Sequence, residues 1–185
     1  AHGDMEIMRT LREVFAEEGW GALSVSLSFG EDRRTGMYPC DARHRHKAGD
    51  AAAELAVWRD WLTERGVTRV VLLGHSRGAL QMAAFAADAE PATAEALVLL
   101  APPAPPDGRQ AERYRARFDD DLAARIREAE ALVAAGRGGE TLSGVGFLYC
   151  EDARVTAASF LSYYGSAAPA DVRVFLKAGR RPVLV

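Results

Sequence analysis

The sequence predicts an α/β protein with three layers, in which helices cover both faces of a mostly parallel sheet. Two observations support this prediction: segments with helical periodicity alternate with short aliphatic segments, and the links between them are short. Right-handed crossovers place the helices of such a chain on both faces of its sheet. The composition agrees, because 185 residues with 49% hydrophobic and 26% charged residues are typical of one globular domain.

The first part of the chain contains two helices and one strand. Apolar residues that recur every three or four positions predict a helix over residues 4–19. A short strand is predicted over 22–28, and the polar stretch 30–49, which contains Gly and Pro, is predicted as a loop. A second helix is predicted over 50–66, because its large apolar residues share one face.

The central part continues the alternation. Residues 67–73 are β-branched or aliphatic and predict a strand that is buried on both faces. An alanine-rich helix is predicted over 80–87 and a further strand over 96–100, after which four prolines follow closely. The predicted order up to this point is therefore αβαβαβ.

The alternation breaks over residues 107–170. Apolar spacing between positions 122 and 133 predicts one long helix there, and five aromatic residues fall between positions 147 and 164. A short helix over 170–178 and a buried strand over 182–185 are predicted after this segment.

One motif carries chemistry, Gly74-His75-Ser76-Arg77-Gly78, a G-x-S-x-G pattern between a predicted strand and a predicted helix. In that context the serine lies at a sharp turn, and its Oγ projects above the end of the strand. The amide of Arg77 lies at a helix N-terminus and can donate to a developing oxyanion. The alternative is a glycine-rich turn with an incidental serine, but the surrounding strand and helix favour a nucleophile.

Through VVLLGHSRGA at residues 70–79, placed within the predicted alternation of helices and strands, the chain resembles the α/β-hydrolase superfamily of serine hydrolases. The resemblance implies a core over 1–106, a helical lid inserted at 107–170 and a return to the core over 171–185. It also implies a carboxylesterase-like enzyme without a cofactor, in which Ser76 forms an acyl-enzyme. The aromatic residues of the lid then line an apolar acyl pocket or form the lid's own core.

The resemblance further implies an acid and then a histidine after the serine, yet no histidine follows His75. We therefore expect the 185 residues to be part of a longer chain, with the acid and the histidine beyond position 185. His44 or His46 as an internal base is an alternative that lacks support. A non-catalytic protein of the same fold, which binds a ligand or partner, is the second functional hypothesis.

The resemblance also suggests Gly3 as the second oxyanion-hole amide. Members of the superfamily often carry a His-Gly pair in the loop that follows the preceding strand. His2-Gly3 either is this pair or lies near it.

Two cysteines, Cys40 and Cys150, lie far apart in the sequence and form no C-x-x-C pair. A bridge between them is possible, but we expect two unpaired thiols. Cys40, His44 and His46 have a spacing that could suit a metal ion, but no fourth ligand accompanies them. We therefore predict a solvated loop here and no metal site.

Charge and hydropathy restrict the partners of the protein. Twenty-three Lys and Arg against 26 Asp and Glu give a net charge of −3, so no basic field is available for nucleic acid. No apolar run approaches the roughly 20 residues that span a bilayer. We predict a small-molecule acyl substrate, no nucleic acid and no membrane span. The few cysteines and the lack of a visible signal segment favour the cytoplasm.

Overall fold

The computed structural model describes residues 2–88, 94–104, 107–169, 171–178 and 181–185. The helices are α1 (Glu6–Glu17), α2 (Asp50–Glu64), α3 (Arg77–Asp88), α4 (Gln110–Phe118), α5 (Leu122–Ala134), α6 (Ala157–Tyr164) and α7 (Val172–Ala178). The strands are β1 (Arg43–His44), β2 (Val71–His75), β3 (Ala96–Leu100), β4 (Thr141–Phe147), β5 (Cys150–Thr156) and β6 (Val183–Leu184). The predicted α/β class, with mostly parallel strands, is confirmed.

A parallel sheet of order β2-β3-β6 carries the G-x-S-x-G turn. Strand β2 pairs with β3 in a register that places His75 opposite Leu100. Helix α3 packs on this sheet through small residues, and Ala79 and Leu99 in the shared core are fully buried. Alanines leave little side chain between helix and sheet, so α3 approaches β2 closely. The pairing of β2 with β3 therefore fixes the turn on its N-terminal side, and the packing of α3 fixes it on its C-terminal side.

A second sheet of order β1-β5-β4 contains strands that the periodicity did not predict. Strands β4 and β5 form an antiparallel hairpin, and β1 pairs with β5 in parallel. Segment 107–170 thus contains a hairpin as well as α4, α5 and α6. Phe147 and Phe160 are fully buried in a core that these elements share, with Tyr163 nearly buried beside them. These aromatic residues form the core of that segment.

The strand predicted over 22–28 is wrong, because those residues form no strand in the described structure. Side chains, and not a neighbouring strand, hold the backbone here. The amides of Ser28 and Phe29 donate to the carboxylate of Glu54 on α2, and the guanidinium of Arg34 donates to the carbonyl of Leu27. A strand needs a ladder partner, and none of the described residues supplies one.

The strands predicted as buried at 67–73 and 182–185 are partly exposed, and the first of them begins only at Val71. Val71 is 39% exposed and Leu184 is 65% exposed. Both strands pair with β3 alone within the described residues, so each is an edge of this sheet. Because β2 and β6 lie at the edges of the sheet, their apolar residues are not fully buried.

The prediction of two unpaired thiols is also wrong, because Cys40 and Cys150 form a disulfide with their Cα atoms 5.4 Å apart. The fold explains the pairing: strand β1 lies beside β5, which begins at Cys150, and this brings the loop before β1 against the hairpin. Disulfides persist in oxidising compartments and are rare in the cytosol. The cysteines therefore no longer support the predicted cytoplasmic location.

Among the residues described, none of the helices combines the length and the apolar character needed to cross a lipid bilayer.

Candidate active site

The turn between β2 and α3 holds Ser76 in an uncommon backbone conformation. Its φ is +54°, in the left-handed region that non-glycine residues adopt at a cost of roughly 1–3 kcal/mol. Two backbone hydrogen bonds fix this conformation. The Ser76 amide donates to the carbonyl of Leu100 at 2.8 Å, and the Ala79 amide donates to the carbonyl of Ser76 at 2.9 Å. The surrounding structure therefore determines the turn and supports the strain.

Gly74 is required at this turn for a steric reason. A Cβ at this position would lie 2.4 Å from the carbonyl oxygen of Gly78, which is main chain and cannot rotate away. A Cβ at Gly78 itself would meet no atom within 4 Å. The two glycines of the motif thus differ: Gly74 lets the chain double back, whereas Gly78 has free space around it.

The side chains of Ser76 and Arg77 are exposed, and that of His75 is half-buried. Arg77 is the first residue of α3, so its amide has no acceptor within the helix. An exposed hydroxyl beside an unpaired amide at a helix N-terminus is the geometry that an acyl-transfer site needs.

No histidine, aspartate or glutamate among the described residues forms a hydrogen bond with the Oγ of Ser76. His44 and His46, the internal candidates for a base, lie elsewhere: they are 1% and 4% exposed and bonded to each other. The Nδ1 of His44 lies 3.3 Å from the Nε2 of His46, whose own Nδ1 lies 2.8 Å from the hydroxyl of Tyr163. These histidines are part of a buried network and not partners of the serine.

Burial also keeps these two histidines neutral. Desolvation lowers the pKa of His46 to about 4, with further lowering from the nearby positive charges, and desolvation also lowers the pKa of His44. The rings of Tyr38 and Phe147 pack against both imidazoles. The solvated loop predicted for this part of the chain is therefore wrong. The His-x-His spacing, which places both side chains on one face of an extended segment, was the available signal.

The ligand set considered for a metal does not exist in the fold, because the sulfur of Cys40 is bonded to Cys150. Within the described ranges, no group of three or more His, Cys, Asp or Glu side chains is placed to hold an ion.

Gly3, suggested as an oxyanion-hole residue, lies against the segment 24–26. Its amide donates to the Oγ of Ser26 at 2.9 Å, and a Cβ on Gly3 would lie 2.8 Å from the carbonyl oxygen of Ser24. This amide is engaged in the observed conformation, whereas the amide of Arg77 donates to no acceptor among the described residues.

A shallow cleft begins at Arg77 and runs along α3. It holds about 300 Å³ of empty space, part of it open to solvent, and its lining consists of Ala48, Arg77, Leu80, Gln81, Ala84, Tyr163 and Pro169. The guanidinium carbon of Arg77 lies 5.4 Å from the centre of the Tyr163 ring. Helix α6, which carries Tyr163, therefore faces the beginning of α3 across this cleft.

Comparisons with known proteins agree with this geometry. The model of one protein family, described as alpha/beta hydrolase fold, matches residues 40–175. No curated protein and no solved structure matched the chain. Because the family match covers well over half of the chain and includes the turn at Ser76, the protein belongs to the α/β-hydrolase fold family.

Proposed function

We propose that the protein is a serine hydrolase that cleaves a carboxylic ester or related acyl bond, with Ser76 as the nucleophile. The conformation of Ser76 is the observation that carries this proposal. A non-glycine residue with φ +54°, an exposed hydroxyl and a position between a parallel strand and a helix has the features of a nucleophile elbow. Five other non-glycine residues among those described also have a positive φ, so it is the combination of this φ with the exposed side chain and the strand-to-helix position that supports the proposal.

In the proposed reaction, the Oγ of Ser76 attacks the carbonyl carbon of the substrate while a general base takes the hydroxyl proton. The Arg77 amide donates to the oxyanion, and collapse of the tetrahedral intermediate expels the alcohol, which receives that proton. Water then attacks the acyl-enzyme, releasing the acid and restoring the serine. The base is proposed to be the histidine expected after residue 185, oriented by the acid expected there.

We also propose the domain division expected from the sequence, with a core over 1–106, a lid over 107–170 and a return to the core over 171–185. Helices α4 to α6 and the β4–β5 hairpin share one buried core. Val172 of α7 joins a different core, that of α3 and β3, and β6 pairs with β3. These packing relationships support a lid that is inserted between two parts of one core.

Hydrolysis of a para-nitrophenyl ester by the full-length protein tests the proposed function. Ser76→Ala should lower kcat/KM by about a thousandfold or more, because the remaining groups cannot form an acyl-enzyme. Ser143→Ala, which changes an exposed serine on β4, should retain activity. Equal activity in wild type and Ser76→Ala would overturn the assignment of the nucleophile.

A second candidate function is ligand or partner binding without catalysis. The observation that favours it is the lack of a base bonded to Ser76 within the described part of the chain. This function predicts that the full-length protein turns over none of the esters tested and does not react with activated phosphonates at Ser76.

A further inference from the structure

Arg77 carries a side chain whose position the oxyanion role of its amide does not explain. The side chain is exposed at the beginning of the cleft, one residue after the nucleophile, and its guanidinium lies over the ring of Tyr163. Stacking of this kind holds a guanidinium in place while leaving its N–H donors free. Arg77, the residue after Ser76 in the chain, therefore presents a positively charged donor group at the beginning of the cleft.

No acidic partner of Arg77 is found among the residues that the structure describes. Within the described ranges it forms no ion pair, whereas carboxylates neutralise eight other arginines: Arg59, Arg69, Arg109, Arg113, Arg115, Arg125, Arg137 and Arg173. Most of these pairs are on exposed surfaces, where ion pairs contribute little to stability. Arg77 is one of several described arginines without an ion pair, and what distinguishes it is its position at the beginning of the cleft.

The lining of the cleft contains no Asp or Glu. Besides Arg77 and the Tyr163 hydroxyl, its polar side chain is Gln81, one helical turn further along α3, whose amide can also donate. The carboxylate of Asp50 influences Tyr163 electrostatically, but it accepts a hydrogen bond from the Lys47 amide at 2.7 Å and is not part of the lining. The lining of the cleft thus offers hydrogen-bond donors, the first of them on the residue after Ser76, and no negatively charged side chain.

The side chains behind Tyr163 do not compensate the charge of Arg77. Tyr163 is bonded to His46, an imidazole that burial keeps neutral, and the positive charge of Arg77 itself contributes to lowering the pKa of His46. The N-terminus of α3 adds a further partial positive charge at the same place. Neither His46 nor the helix terminus supplies a negative charge that would offset the guanidinium of Arg77.

We propose that the substrate carries an anionic group, of the carboxylate class, close to the scissile ester, and that the guanidinium of Arg77 binds it. This inference rests on the proposed serine hydrolase function and specifies its substrate class. A guanidinium offers two parallel N–H donors that match the geometry of a carboxylate. The carboxylate belongs to the acyl part or to the alcohol part of the ester, and the same arginine would recognise either.

Two pairs of esters, given to the full-length protein, test this inference and distinguish the two positions of the charge. The acyl pair is para-nitrophenyl hydrogen suberate and its methyl-capped neutral analogue. The alcohol pair is para-acetoxybenzoate and para-acetoxybenzamide. The measured quantity is the ratio of kcat/KM for the charged ester to that for its neutral partner, so that a general change in catalysis cancels.

Wild type should prefer the charged ester by about tenfold to a hundredfold in one of the two pairs, as expected for a hydrogen-bonded charge pair. Arg77→Met should bring that ratio close to one. Arg65→Met is the matched control, because Arg65 is also exposed and stacks on an aromatic ring, that of Trp61 at 3.8 Å. This variant should keep the ratio of wild type.

A wild-type ratio of one or less in both pairs, or a ratio unchanged in Arg77→Met, would overturn the inference while leaving the hydrolase function intact. Wild-type protein that hydrolyses none of the four esters would overturn the proposed function, and this inference with it.

Discussion

A Cβ on Gly74 would lie 2.4 Å from the carbonyl oxygen of Gly78, closer than real contacts of this kind allow. Gly74→Ala must therefore separate two main-chain segments on either side of Ser76. We expect this change to lower the free energy of unfolding by about 2 kcal/mol or more, as overpacking does elsewhere in protein cores. Urea unfolding followed by tryptophan fluorescence measures it.

Gly78→Ala is the matched control for that substitution. Its new Cβ would meet no atom within 4 Å, and Gly78 lies in α3, where alanine is a better helix former than glycine by about 1 kcal/mol. Gly78→Ala should therefore leave stability unchanged or raise it. The steric account of the turn is contradicted if Gly74→Ala costs no more than Gly78→Ala.

The disulfide between Cys40 and Cys150 should contribute strongly to stability. It joins residues separated by 110 positions, and closing so long a loop restricts the unfolded chain considerably. We expect Cys40→Ser with Cys150→Ser, or reduction of the wild type, to lower the free energy of unfolding by about 2–5 kcal/mol. Chemical denaturation with and without dithiothreitol measures the effect.

The double serine variant supplies the control, since dithiothreitol should not change its stability further. Thiol titration of the denatured wild type without reductant should find no free sulfhydryl. Two reactive thiols per chain in that titration would show that the cysteines are unpaired.

Acid should destabilise the fold through the buried histidine pair. Burial lowers the pKa of His46 from its ordinary 6.5 to about 4, so between these values the unfolded chain binds a proton that the folded chain does not. The contribution of neutral His46 to the free energy of unfolding is therefore complete above pH 6.5 and is lost as the pH falls towards 4. His46 alone accounts for up to about 3 kcal/mol of this loss. Urea unfolding at pH 7 and pH 4.5 measures it.

Carboxylates also titrate in this pH range, so a variant without the imidazole is needed. His46→Gln should unfold more easily than wild type at pH 7, and the difference between the two should shrink at pH 4.5. A parallel pH dependence in both proteins would indicate that His46 does not titrate as described.

Much of the sheet that carries the site could be predicted from the sequence, because the relevant signals are local. Strand β3 has the predicted bounds of Ala96–Leu100. Helix α5, Leu122–Ala134, likewise matches the helix predicted from apolar spacing between positions 122 and 133. The turn at Ser76 also lies between a strand and a helix, as predicted. Short-range periodicity, glycines and capping residues determine such features.

The features that the sequence did not predict depend on distant parts of the chain. The pairing of Cys40 with Cys150 and the burial of His44 follow from the contact between β1 and β5, which lie more than 100 residues apart. Residues 22–28 have the composition of a strand, but the carboxylate of Glu54 takes the amides at their end. Composition cannot show which partner a backbone amide finds.

The central claim is that Ser76 is an activated nucleophile, and labelling with a fluorophosphonate tests it most directly. The full-length protein is incubated with the reagent, its intact mass is recorded, and the modified peptide is mapped by tandem mass spectrometry. We predict one adduct per chain, located on Ser76 and missing in Ser76→Ala but present in Ser143→Ala. An unlabelled wild type, or an adduct on any other residue, would contradict the claim.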